Sequence, residues 1–392
     1  MSDTIPGTVP AASARSAPLA WSRPHFKQMV RTLHLWAGIV LCLPMILIGL
    51  SGSALLVQRE ILWLSAPAVA TGERQSFVRI VAAAEAAEPG FRANWLELPQ
   101  SQRAPAGVQF IVATRPTRTV EVVVDPVSLK VLGSSELVRR GPIMAFLTWI
   151  HEFLMMPDRI GLPAVGWTAV AMTFMGLSGI ILWWPRKGRW LAAFLVKRGA
   201  TGLRFHLDLH HAAGIWGLLF FLVLSISGIY LAFPQTVSSA MQTAFANSQS
   251  DATPLPLGFP KAWPITPDEG ISLAQAAMPG TRAAGVFLPR SADAPMIVQL
   301  ETTGFSPSVP PITVAFDPRN AGSVHIDDPR HYPLPDRILN LLYALHFSVG
   351  VGPFWTFLVF LTGLMPLLLA ITGLTIWWTK RSRRRAAASL RS

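Results

Sequence analysis

Four stretches of this chain, about residues 33–57, 163–184, 212–233 and 353–378, contain no Asp, Glu, Lys or Arg. Each is near the ~20 apolar residues that carry a helix across the hydrocarbon core of a bilayer. The rest of the composition agrees. Only 14% of the 392 residues are charged, against roughly 25% in soluble globular domains, so an ordinary soluble enzyme is excluded. The first stretch precedes Ala68-Val69-Ala70, which looks like a signal-cleavage site. Its apolar run far exceeds the ~7–15 residues of a signal h-region, and it is read as an uncleaved span.

The charges near the span ends predict the orientation. The N-terminal tail, the connection 185–211 and the C-terminal tail together hold 16 basic and 2 acidic residues. The connections 58–162 and 234–352 hold 17 basic and 19 acidic residues. Both termini are therefore expected in the cytoplasm, with two domains facing outward. The net charge of +12 follows from this topology, with basic residues at the membrane ends, and nucleic acid is not expected as a partner. The single cysteine, Cys42, lies inside the first run. There is no disulfide framework, CxxC zinc site or CxxCH attachment, so any haem would be held non-covalently.

The chain is also written twice. LHLWAG from Leu33 and SGS from Ser51 answer LHHAAG from Leu209 and SGI from Ser227, and His34–Gly52 and His210–Gly228 are both 18 residues apart. His151 with SGIILWW from Ser178 answers His346 with TGLTIWW from Thr372, at separations of 28 and 27 residues to Gly179 and Gly373. Between them, Ala86-Ala87-Glu88-Pro89-Gly90 answers Ala276-Ala277-Met278-Pro279-Gly280. Leu98-Pro99 and Asp125-Pro126 likewise answer Leu288-Pro289 and Asp317-Pro318. Each half contains two spans, which returns it to the same side, so the repeats are parallel about an axis along the membrane normal.

The expected architecture is an α-helical membrane protein with four transmembrane helices and two small α+β outer domains. The boundaries read as a disordered tail 1–24, a first span 25–57, an outer domain 58–140, and a His helix with the second span 141–184. A connection 185–211, a third span 212–233, an outer domain 234–335, a His helix with the fourth span 336–378 and a basic tail 379–392 follow. Each outer domain reads as one helix and then strands. Phe77, Ile80, Val81, Ala84 and Ala87 share a helical face. Val108, Phe110 and Val112, then Val120, Val122 and Val124, alternate as strand residues do.

Of nine histidines, His34, His210, His151 and His346 occupy equivalent places in the two halves. At ~1.5 Å per residue, His34 and Gly52 lie about 27 Å apart along a helix. His34 and His210 are thus expected at the inner edge, and His151 and His346 at the outer edge. A twofold axis along the normal sets each pair face to face. Bis-imidazole ligation of a haem needs one such imidazole on each side of a porphyrin in apolar surroundings, and two pairs would hold two b-type haems. Ala37, Gly38, Ala213 and Gly214 offer room behind the inner pair. Arg31, Arg204, Arg139, Arg140 and Arg337 are candidate partners for the propionates. A membrane-edge histidine is also a common polar anchor, but two matched pairs at two depths favour function.

His206, four residues from His210, is an alternative or assisting inner ligand, and His211 a weaker one. His206 and His210 could instead begin a zinc or copper site, without an evident third ligand. His25, His325 and His331 lack repeat partners, although His331 beside Tyr332 could line an outward substrate site. The Trp pairs 183–184 and 377–378 read as interfacial anchors, and Met155-Met156 as packing.

These motifs together, over about residues 25–385, resemble the PepSY-associated transmembrane family, whose outer units are PepSY domains. The resemblance implies a bacterial inner-membrane oxidoreductase similar to ferric-siderophore reductases, carrying b-type haem and reducing Fe(III)-siderophore or another acceptor in the periplasm. Iron would be released because Fe(II) is held less firmly than Fe(III) by hard oxygen ligands. Some members are fused to flavin-reductase-like domains. No GxGxxG fingerprint occurs here, which leaves membrane quinol or a separate cytoplasmic reductase as donor. PepSY units also occur in protease propeptides, so a haem-free sensor or accessory protein that binds peptides or restrains a protease is the rival expectation. A transporter is disfavoured, because the spans hold no acid for coupling.

Overall fold

The structure is a computed structural model that describes residues 23–57, 68–98, 109–115, 118–135, 141–245, 254–255, 265–291, 293–302, 310–318 and 324–390. The expected N-terminal tail up to residue 22, Val108, Arg139 and Arg140 lie outside these residues. In chain order the helices are α1 (Arg23–Leu56), α2 (Phe77–Ala87), α3 (Gly141–Phe153), α4 (Asp158–Trp183) and α5 (Trp190–Ala193). There follow α6 (Gly202–Ala232), α7 (Pro234–Ala244), α8 (Pro267–Ala277), α9 (Leu334–Phe347) and α10 (Pro353–Ser389). The strands are β1 (Arg92–Glu97), β2 (Gln109–Arg115), β3 (Arg118–Val124), β4 (Val131–Ser135) and β5 (Pro254–Leu255). After them come β6 (Thr281–Phe287), β7 (Met296–Thr302), β8 (Ile312–Phe316) and β9 (Val324–Asp327).

Helices α1, α4, α6 and α10 are long and apolar enough to cross a membrane. They close a ring in which α1 packs on α4 and α10, and α6 packs on the same two. Trp36, Val40, Leu43, Trp216, Leu219 and Phe354 point outward and exposed, as lipid-facing side chains must. The tightest crossing is between α1 and α10. A Cβ on Gly49 would strike the Gly363 carbonyl, and one on Gly363 would strike the Ser53 hydroxyl. That close approach lets Ser53 Oγ donate to the Phe360 carbonyl at 2.8 Å, the way small residues join helices where no hydrophobic effect separates helix from lipid.

Three of these helices outrun the apolar stretches. α4 starts at Asp158, five residues ahead of the apolar run. α6 starts at Gly202 rather than near 212 because Arg204 and Asp208, one turn apart, pair at 2.9 Å and continue the helix. The connection expected over 185–211 is therefore shorter, and His206, His210 and His211 ride on the spanning helix itself. α10 continues through the basic tail to Ser389.

The two outer units were expected to stand apart. Instead they form one antiparallel sheet of nine strands, in the order β4-β3-β2-β1-β6-β7-β8-β9-β5. The joint is β1 against β6, where Leu96 faces Val286. Pro89 and Pro279 are 190 residues apart, and so are Leu96 and Val286, so at this joint a residue meets its own counterpart. Trp95 packs its indole against Phe287, ring centres 4.4 Å apart, over Gly285, where a Cβ would collide with the indole. Helices α2 and α8 lie against the same core. It runs without a break from Ile80, Leu96, Ile111 and Val122 to Val286, Leu300 and Phe316. The Asp268 carboxylate, in the first turn of α8, accepts the N–H groups of Phe77 and Val78 at 3.1 and 3.3 Å, satisfying donors that a helix start leaves free.

The expected strands form, but β2 buries Ile111 and Ala113 rather than the alternate set through Phe110 and Val112. Its residues are apolar on both faces, so period-two alternation does not choose between them. Pairing Ile111 with Val122 and Ala113 with Val120 does.

Candidate functional site

Each outer histidine sits at the end of a short helix that doubles back into a span. α3 ends after Phe153, and Leu154 and Met155 take φ of 49° and 61° before Pro157 starts α4. α9 ends with Ser348 at φ 54°, followed by Gly350 and Gly352 at 69° and 86° before Pro353. Left-handed backbone at three non-glycine residues is costly, and such strain gathers where geometry is held for a purpose.

These two reversals bring His151 and His346 together, ring centres 6.2 Å apart and planes tilted by 58°. The two rings are seated alike. His151 Nδ1 lies 2.9 Å from the Ile48 carbonyl and 3.3 Å from Ser51 Oγ. His346 Nδ1 lies 2.8 Å from Ser227 Oγ and bonds the Leu224 carbonyl. In both cases the carbonyl belongs to the residue three before the serine.

The other pair is built the same way. His34 Nδ1 is 2.7 Å from Ser178 Oγ, and His210 Nδ1 is 2.9 Å from Thr372 Oγ1 and bonds the Leu369 carbonyl. His34 and His210 are within electrostatic reach of one another. Along α1 from His34 to Ser51, and along α6 from His210 to Ser227, is seventeen residues. At 1.5 Å per residue the two levels are about 26 Å apart.

A carbonyl accepts only, so an Nδ1 bonded to one carries the proton. The hydroxyls agree with this. Ser51, Ser227 and Thr372 each donate to a carbonyl four residues back, at 2.6, 2.8 and 2.8 Å, which leaves their lone pairs to accept from Nδ1. The Nε2 lone pair is then the outward-facing group, and among the described residues Nε2 of these four rings has no hydrogen-bond partner. A glycine follows each hydroxyl and makes space for the ring. A Cβ on Gly52 would lie 2.7 Å from His151 Cε1, on Gly373 3.5 Å from His210 Cε1, on Gly228 3.8 Å from His346 Cε1 and on Gly179 4.0 Å from His34 Cε1. The hydroxyl–glycine dipeptide was visible in the sequence as a repeat marker, but its role as an imidazole seat was not. The signal was the matched spacing from each such dipeptide to a histidine of the neighbouring helix.

Other candidates fall elsewhere. His206 Nδ1 is buried without a partner, one turn ahead of His210. His211 is exposed, 6.4 Å from His210 between ring centres. His25 and His325 are exposed, and so is His331, which lies 3.5 Å from Asp328. Among the described residues no three potential metal ligands gather, so His206 and His210 gain no third. Gly38 and Gly214 admit the Met175 methyl and Leu369, so the space behind the inner pair is used for helix packing. Arg204 is tied to Asp208. Arg31 is exposed near Lys380, and Arg337 is exposed at the start of α9. Met155 is exposed at the α3–α4 reversal.

The second half adds a polar group at its outer end. Tyr332 donates to Asp327 at 2.6 Å, and burial together with that carboxylate pushes its phenol up. Asp328 is pushed up by burial, but the hydrogen bonds and charge of Arg330 outweigh this and hold the carboxyl below its ordinary range.

No curated protein matches the chain. A family model described as the PepSY-associated TM region matches residues 31–380, taking in all four histidines, their hydroxyl–glycine seats and the shared sheet. With nearly its whole length inside that match, the chain belongs to the PepSY-associated TM region family.

Proposed function

We propose that this membrane protein is a di-haem b electron-transfer protein of a bacterial inner membrane. In this reading it is built from two parallel repeats, with both termini cytoplasmic and the shared sheet periplasmic. His151 and His346 hold the outer haem, and His34 and His210 the inner one.

The observation that carries the reading is the 6.2 Å between the His151 and His346 ring centres. Two metal–nitrogen bonds of about 2 Å, plus about 1.1 Å from each nitrogen to its ring centre, require close to 6 Å. The proton on each Nδ1 agrees, since a ligating imidazole donates its other N–H to a carbonyl or similar acceptor, which fixes the tautomer and raises basicity. A pair of anchoring histidines would have no reason to aim their free nitrogens at each other. For the inner pair the matching hydroxyl–glycine seats support the same role. Arg31, Arg204 and Arg337, together with Arg139 and Arg140, are the guanidinium groups assigned to the propionates.

The bound haems supply one-electron chemistry. The chain's residues do the rest. Ile48, Ser51, Leu224 and Ser227 fix the outer imidazoles, the ring of spans excludes water between the two levels, and the sheet covers the outer pair. The acceptor is a periplasmic Fe(III)-siderophore, reduced to Fe(II), and the electrons enter from membrane quinol or a cytoplasmic reductase.

A reduced-minus-oxidised spectrum of the detergent-purified protein, with haem quantified per chain, tests this. Two low-spin b-type haems are expected, falling to one in His151→Ala or His346→Ala with the protein still membrane-inserted. Absence of haem in protein made with adequate supply would overturn the reading and favour a haem-free PepSY accessory protein.

A further inference from the structure

Where α4 finishes and α6 begins, the chain builds a second composite surface that the histidine sites do not use. Residues 184–198 carry Arg186, Lys187, Arg189, Lys197 and Arg198 and no acid. All five are exposed, and among the described residues none is in an ion pair. The neighbouring carboxylate, Asp208, is taken by Arg204 and accepts only the Lys197 backbone N–H. Between the two basic groups stand Trp190, Leu191 and Leu195, the leucines 84% and 61% exposed.

Tryptophans clamp this segment from two different spans. Trp183 Nε1 donates to the Ala193 carbonyl and Trp216 Nε1 to the Phe194 carbonyl, each at 3.0 Å. The Phe194 ring meets both indoles edge-on, centres 5.0 and 5.6 Å away, and Trp190 packs on Trp183 and Trp184 at 5.8 and 5.4 Å. The backbone is thus held in a fixed place with its leucines and cations both displayed. Water is the wrong medium for the leucines and hydrocarbon is the wrong medium for the cations. Only the headgroup plane suits both.

We propose that residues 184–198 form a binding site for anionic phospholipid, with Arg186, Lys187 and Arg189 on the phosphate and Leu191 and Leu195 among the acyl chains. The exposed leucines commit the site to a lipid rather than to free phosphate. The proposal is independent of the haem assignment.

The test titrates the full-length protein in uncharged detergent with dioleoyl phosphatidylglycerol, dioleoyl phosphatidylcholine or inorganic phosphate. Bound lipid is counted by native mass spectrometry and the melting temperature followed. Phosphatidylglycerol is expected to bind at least about tenfold more tightly than phosphatidylcholine and to raise the melting temperature, with inorganic phosphate inert. The triple variant Arg186→Gln, Lys187→Gln, Arg189→Gln should lose that preference, while Arg383→Gln, Arg384→Gln, Arg385→Gln, an equal loss of charge on the tail, should keep most of it. Equal binding of the two lipids, stabilisation by phosphate alone, a triple variant that keeps the preference, or a tail variant that loses as much would each overturn the proposal.

Discussion

The four imidazole seats share one design but differ in tightness, and the difference is measurable. Gly52 has the least room, since a methyl there would stand 2.7 Å from His151 Cε1, whereas at Gly179 it would stand 4.0 Å from His34 Cε1. The first distance is too short for any real contact, so Gly52→Ala must turn or displace the ring. Alanine favours a helix over glycine, so the backbone itself has no reason to fail. Gly52→Ala is therefore expected to lose or shift the spectral signature of the outer pair while Gly179→Ala keeps both, read by low-temperature absorption and electron paramagnetic resonance. The same comparison separates the two levels experimentally, because each variant addresses one histidine pair.

At the scale of elements, the turn after β3 is a charged fixture. Burial pushes the Asp125 carboxyl up, but the Ser128 hydroxyl and the N–H groups of Ala70, Val127 and Ser128 outweigh burial and bring it down to about 2. A group held below its ordinary value near ~3.9 stabilises the fold fully above that pH and less as pH falls toward the lower value. The sheet should therefore lose part of its stability between about pH 4 and pH 2, and Asp125→Asn should flatten that part of the curve, followed by near-ultraviolet circular dichroism. How far elements could be foreseen depended on the range of the forces that make them. The spans were legible because bilayer thickness sets a length that no loop imitates, and α2 was legible because Phe77, Ile80 and Ala84 keep one helical face. The start of α6 was hidden, since Arg204 and Asp208 look like a loop until they pair within a helix. The face of β2 was also hidden, because partner strands choose it. The histidines announced themselves by being repeated, while Ser51, Ser178, Ser227 and Thr372 read as ordinary small polar residues in a span until a ring was found beside each one.

At the scale of the whole molecule, the shared sheet makes the two outer units one thermodynamic object. Leu96 is fully buried at their joint, and Leu96→Ala should cost about 2–5 kcal/mol. Hydrogen exchange should then quicken in α2 and α8 together, although only the first unit is altered. The joint has a wider consequence. Strands that meet with a residue opposite its own counterpart have the contact rule of a symmetric dimer, in which one patch serves both partners. A half of this chain carries the edge needed to close on a second copy of itself, and the covalent link makes such a dimer permanent and free to become unequal. The inequality is visible. All three tyrosines, Tyr230, Tyr332 and Tyr343, stand in the second half, with the last of them one turn before His346. A molecule of two identical halves would offer the same face to both sides of its axis. This one has a left and a right, and so can give what arrives and what departs different doors.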